Sequence, residues 1–151
     1  MNICGVNPVT AVHAPKVFAT LTNLSLPPDR LDPLLSGDEP LPADIHPMRT
    51  ITAGLGAILG LSQEESARLL GISRSTALKP TPPSPEVLDR LYMLSQRLEL
   101  MQDVLGEHAD GWFVQPNAAL AGARPIDRLR TRKGQAQLDD LIQGLLDGNF
   151  Y

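Results

Sequence analysis

The side chains that most often do chemistry are scarce here and poorly grouped. The three histidines, His13, His46 and His108, are widely separated and lie near helix breakers, which predicts ordinary solvent-exposed imidazoles rather than a catalytic or metal-binding set. A lone Cys4 excludes an intrachain disulfide framework and a cysteine-based zinc site. Asp139-Asp140 is an adjacent acidic pair, but neighbours on a helix point about 100° apart, so the two carboxylates do not form a dyad on one face. No glycine-rich phosphate loop follows a strand, and no nucleophile elbow occurs. The residues therefore predict a protein that is not an enzyme and imply no cofactor and no metal.

The cations are better organised. Arg124, Arg128, Arg130, Arg132 and Lys133 fall within ten residues, a cluster that can grip phosphate or an acidic partner, or simply be a solvated face. A second group belongs to the run Leu61 to Thr76, which carries a helix-turn-helix pattern. Ala67 is small where two helices would cross, Gly71 makes the turn, Ile72 plugs the space between them, and Ser73 starts the second helix. Arg74, Ser75 and Lys79 would then face bases or phosphates. Two features weigh against strong operator binding. Pro80 shortens the second helix, and the basic and acidic residues of 49–106 balance to zero, where an operator binder shows a basic face. The alternative use of these helices is a bundle for protein contacts.

The elements that must position these groups follow from composition and period. The chain has 151 residues, a formal charge of −4, 4% aromatic residues and 14 prolines. Eight of the 14 prolines precede Met48, and each removes a backbone donor and fixes φ. With two basic against five acidic side chains, residues 1–46 read as an irregular acidic arm. It is either a disordered extension or an arm packed on a partner, with short anchored pieces at Val17–Leu21 and around Leu31, Leu34 and Leu35. From Arg49 the pattern is helical. Ile51, Leu55, Ile58 and Leu59 share a face and Gly60 ends it; Ser62 and Glu65 fit a capping box; Ser73 caps a helix over Arg74–Lys79. Ser84-Pro85-Glu86 opens a long helix stopped by Gly106. Its Val87, Leu91, Leu94, Leu98, Met101 and Leu105 form an a/d seam that Leu88 and Leu100 widen. That seam is core of the monomer or, alternatively, shared between two subunits. Turn-rich sequence follows Trp112-Phe113, Pro125 starts a short helix through Leu129, and a final helix runs from about Gln135 to Leu146. The expected fold is all-α. No apolar run of about 18 residues is present and Met1–Thr10 lacks the basic n-region and long apolar core of a secretory signal, so a cytoplasmic protein without membrane contact is expected.

The later residues resemble a family. Trp112-Phe113, Pro116-Asn117, Leu120, Gly122, Pro125-Ile126, Thr131, Gly134, Leu141-Ile142, Gly148 and Phe150-Tyr151 resemble the toxin-binding domain of Xre/MbcA/ParS-type antitoxins. The helix-turn-helix segment looks like the Xre-like domain that precedes it there. The resemblance spans about residues 47–151 and divides the chain into the arm, 1–46, an Xre-like domain with its long connecting helix, 47–106, and a toxin-binding domain, 107–151.

The resemblance implies a bacterial antitoxin of a RES-Xre type II pair. Its partner would be a RES-domain toxin that consumes NAD or uses it for ADP-ribosyl transfer, and its toxin-binding domain would cover the toxin's NAD pocket with the extreme C-terminus at or in that pocket. The implied toxin-binding residues are Trp112, Phe113, Pro116, Asn117, Arg124, Arg128, Arg132, Asn149, Phe150 and Tyr151. A homodimer within a toxin–antitoxin hetero-oligomer is the expected assembly, with operator DNA as a further partner of family members that repress their own operon. The sequence departs from the family at Leu78-Lys79-Pro80-Thr81-Pro82-Pro83, where many members continue with an aromatic and basic residues, and this favours neutralisation over gene regulation. A DNA-binding repressor reading Arg74, Ser75 and Lys79 is the alternative, and a dimeric scaffold is a third.

Overall fold

A computed structural model describes residues 14–148, and among them every regular element is helical. The longest helix, α6, covers Pro85–Leu105, about 31 Å at 1.5 Å per residue. Its start is set by local chemistry: the Ser84 hydroxyl accepts from the Val87 amide at 3.3 Å and Pro85 occupies the first turn. Val87, Leu88, Leu91, Leu94, Leu98 and Met101 are all buried, so the seam is core of a single chain. Leu100 is the exception to the expected seam. It is 42% exposed, because it lies on the side of α6 opposite Leu98.

The Pro-rich N-terminal third differs most from expectation. From Ala14 onward it is not an irregular arm, and the short anchored pieces expected around Val17–Leu21 and Leu31–Leu35 are regular helices. It forms helices α1, Lys16–Thr22, and α2, Pro28–Leu35, which pack on α6. Phe18 and Leu31 are fully buried, and the Phe18 ring meets Tyr92 of α6 edge-on at 5.1 Å. The prolines limit these helices to seven and eight residues without preventing them; Pro27-Pro28 starts α2, where the missing amide donors would have had no helical partner. His46 closes the unit, its Nδ1 3.0 Å from the Leu21 carbonyl oxygen and its amide donating to the Thr22 carbonyl. This imidazole is a structural tie.

Helix α3 spans Met48–Leu59 and ends on the left-handed Gly60. Its first amides have no side-chain cap. Those of Met48 and Arg49 donate instead to the carbonyls of Thr81 and Lys79, at 2.8 and 3.0 Å. The Lys79–Thr81 bend thus does more than halt the preceding helix; it satisfies donors that would otherwise be orphaned at the head of α3. Helix α4, Gln63–Leu69, carries the Ser62/Glu65 capping box. The turn after it is held by the Ile72 amide donating to the Ala67 carbonyl and the Gly71 amide to that of Arg68, with Gly71 at φ +74°. Helix α5 is a single turn, Arg74–Ala77, capped by Ser73; the expected extension to Lys79 is absent. No described helix is long and apolar enough to cross a membrane.

Helix α7, Ala109–Val114, follows a 3₁₀ turn, and helix α8 covers Arg132–Leu146. Two further 3₁₀ segments, Ala118–Leu120 and Pro125–Arg130, lie between them. α8 begins three residues before the expected start, because the Thr131 hydroxyl accepts from the Gly134 amide and caps it. The apolar face of α8, Leu138, Leu141, Ile142 and Leu145, joins the same core as α6.

Candidate partner-binding surface

The segment from α7 to the head of α8 is built by short-range hydrogen bonds. Asn117 organises the first turn: its Oδ1 accepts from the Ala119 amide at 2.9 Å, its amide donates to the Ala123 carbonyl, and its own carbonyl accepts from Leu120 and Gly122. Ala121 and Gly122 are both left-handed, at φ +57° and +85°. Asn117 is thus spent on the turn. Phe113 is fully buried, with the Trp112 ring 5.0 Å away and perpendicular to it, so Phe113 is a core residue and not a contact surface. Trp112 is half-buried and Pro116 exposed.

The arginines of the basic cluster do not act as one patch. Arg124 is engaged on both sides. Its Nε and Nη2 donate to the two Asp127 carboxylate oxygens at 3.1 and 3.2 Å, and Nη1 donates to Glu65 Oε2 at 3.1 Å. Asp127 and Glu65 together raise the Arg124 pKa, and the Ser62 amide, followed by Arg124, lowers that of Glu65. Glu65 therefore serves twice, one oxygen in the α4 capping box and the other on the C-terminal segment. Arg128 donates from Nη2 to the Leu120 carbonyl at 3.0 Å, and its Nε is buried without a partner. Arg130, Arg132 and Lys133 are exposed. Of the resemblance residues in this segment, Trp112, Pro116 and Arg132 are accessible, while Phe113, Asn117, Arg124 and Arg128 hold the segment together. Asn149, Phe150 and Tyr151 lie outside the described residues.

Sequence reasoning missed one interaction here. Arg97 of α6 holds Asp139 of α8 with a two-pronged contact at 2.8 and 2.9 Å and also donates to the Met93 carbonyl. Forty-two residues separate the pair, and only the opposite charges hinted at it. Asp139 is thereby a strut between helices. Arg74 and Ser75 on α5 and Lys79 just beyond it are exposed, with the Ser75 hydroxyl 3.1 Å from that of Ser73. Among the described residues, no group of three or more His, Cys, Asp or Glu side chains is arranged to hold a metal ion.

Compared with known proteins, the chain matches no family model and no curated protein.

Proposed function

We propose that the chain is a binding protein rather than an enzyme, an Xre/MbcA/ParS-type antitoxin that neutralises a RES-domain, NAD-using toxin. The observation that carries the reading is the division of labour in segment 112–134. The residues of the resemblance pattern there are those with a demanding local job: Asn117 and Thr131 as caps, Gly122 at positive φ, and Gly134 where a side chain would strike the Arg128 carbonyl. A motif that keeps such positions supports a shared local fold, and that fold presents Trp112, Pro116, Arg130, Arg132 and Lys133 outward. In this reading the toxin meets the half-buried Trp112, an amphipathic anchor typical of interfaces, with Arg132 at the rim. The tail Asn149-Phe150-Tyr151, continuing from the left-handed Gly148, reaches toward the toxin's NAD pocket. The assembly is a homodimer bound to toxin in the cytoplasm. Co-purification with the protein encoded beside it tests the proposal: recovery of a stoichiometric complex that suppresses NAD consumption supports it, and no complex from co-expressed partners removes it.

One observation favours a second reading. The capped pair α4 and α5, joined at Gly71, leaves Arg74, Ser75 and Lys79 exposed, as a DNA-reading helix would. A gel shift with the upstream region of its own operon separates the two, since a repressor must bind there without toxin.

A further inference from the structure

One end of the molecule carries two unneutralised patches of opposite sign. The first centres on Leu78, which is 46% exposed and stands just after the single-turn helix α5. Exposed Arg74 and Lys79 flank it in sequence, and Arg49 is joined to Lys79 by a backbone hydrogen bond of 3.0 Å. The second is an open cleft of about 440 Å³ between the end of α2 and the first turns of α6. It is lined by Asp32, Asp38 and Asp89, with Pro33 and Leu35 as its apolar wall. None of these three cations and none of these three carboxylates takes part in an ion pair among the described residues.

The two patches are close. Lys79 and Pro85 are only six positions apart, about 20 Å of extended chain. Pro85 lies against Gly37 at the lip of the cleft, and Asp89 stands one turn further along α6. A surface that holds a cationic knob with an apolar tip beside an acidic hole with an apolar wall is self-complementary. A two-fold axis between them sets each knob over the other copy's hole, and opposite charges across the gap fix that register. The α6 seam is spent on the monomer core and leaves dimerisation to another face.

We infer that this end is an interface with a second copy of the chain, in which Leu78, rimmed by Arg49, Arg74 and Lys79, enters the cleft formed by Asp32, Asp38 and Asp89 of the other copy and receives the reciprocal contact. The inference deepens the homodimer of the proposed function by naming its face, and it does not depend on toxin binding. It also has a consequence for the alternative: in such a dimer Arg74 and Lys79 are covered and unavailable to DNA.

Sedimentation equilibrium on the full chain tests this. The native chain is expected at twice its 16.3 kDa mass, with dissociation rising as salt is raised from roughly 0.05 to 0.5 M. Leu78→Asp, the pair Arg74→Glu with Lys79→Glu, and the pair Asp38→Lys with Asp89→Lys each weaken dimerisation by at least about tenfold. An equimolar mixture of the two charge-reversed proteins restores the dimer, because the acid and base partners are exchanged between them. A monomeric native chain overturns the inference. So does a dimer indifferent to salt and to all three variants, or failure of the folded, charge-reversed proteins to pair when mixed. Loss of duplex-DNA binding in Arg74→Glu/Lys79→Glu with an unchanged dimer mass also overturns it and assigns the cationic knob to DNA.

Discussion

A methyl group on Gly134 would run into the carbonyl oxygen of Arg128, since α8 passes directly over the preceding 3₁₀ turn. The clash is with backbone that the Arg128 and Gln135 hydrogen bonds hold in place, so it cannot be relieved by swinging a side chain. Gly134→Ala should therefore destabilise the fold by about 1–3 kcal/mol despite the helix-favouring alanine, as read from urea denaturation. Glu65 offers a different test. Its carboxylate accepts from the Ser62 amide and from Arg124, and these contacts lower its pKa below the ordinary 4.5. A depressed folded-state pKa adds stability that is fully present above the unfolded value and is lost as pH falls through the folded one. Glu65→Gln should thus be less stable than the native chain at pH 7, with the difference shrinking below pH 4.5. Thermal melts across that range check it, and a difference that stays constant with pH would show that the charge is not what matters.

At the scale of elements, the helix starts were legible because capping is local. Ser62, Ser73 and Ser84 each sit three residues before the amide they accept from, and a reader of sequence sees both partners at once. Stops at Gly60, Gly71 and Gly106 were legible for the same reason: each has positive φ. What sequence hid was long-range. The prolines of the N-terminal third argue against long helices, and the helices there are short, but nothing local says that Phe18 would find Tyr92, 74 positions later. Lys79 likewise read as the end of a helix and Thr81 as part of the proline run that halts it, while their role at the head of α3 depends on a distant segment. In the candidate site, Arg124 read as a free cation because its Glu65 partner is 59 residues away, and Phe113 read as a contact because an aromatic pair looks alike whether it faces inward or out. The same packing sets a prediction about the N-terminal boundary. Phe18→Ala should cost about 3–5 kcal/mol, and removal of residues 1–46 should leave the apolar face of α6 uncovered. If the shortened chain melts with native cooperativity, α1 and α2 are dispensable; bound hydrophobic dye and rapid proteolysis are the expected result.

At the scale of the whole molecule, one continuous core runs from Ala14 to Leu145, so the N-terminal helices, the capped pair and the C-terminal segment share a single packing unit. The Glu65–Arg124 and Arg97–Asp139 pairs reinforce it from outside. Such a body is suited to presenting a surface rather than to closing on a ligand, since binding through it loses little conformational entropy. The tail is where the proposed inhibition separates from the fold. Among the described residues the last buried core residue is Leu145, and Leu146 is 40% exposed, so a chain ending at Asp147 keeps the buried face of α8 as it is described. In the proposed mechanism Phe150 and Tyr151 supply the apolar area and phenol that fill the toxin's pocket. Removing Gly148–Tyr151 should leave the melting temperature within about 2 °C of native while toxin inhibition falls at least about tenfold. Binding would persist through Trp112 and Arg132 at reduced affinity, measurable by calorimetry with the toxin. Full inhibition by the shortened, folded chain would instead place the block on the body of the molecule, and charge reversal at Arg132 would then become the decisive variant.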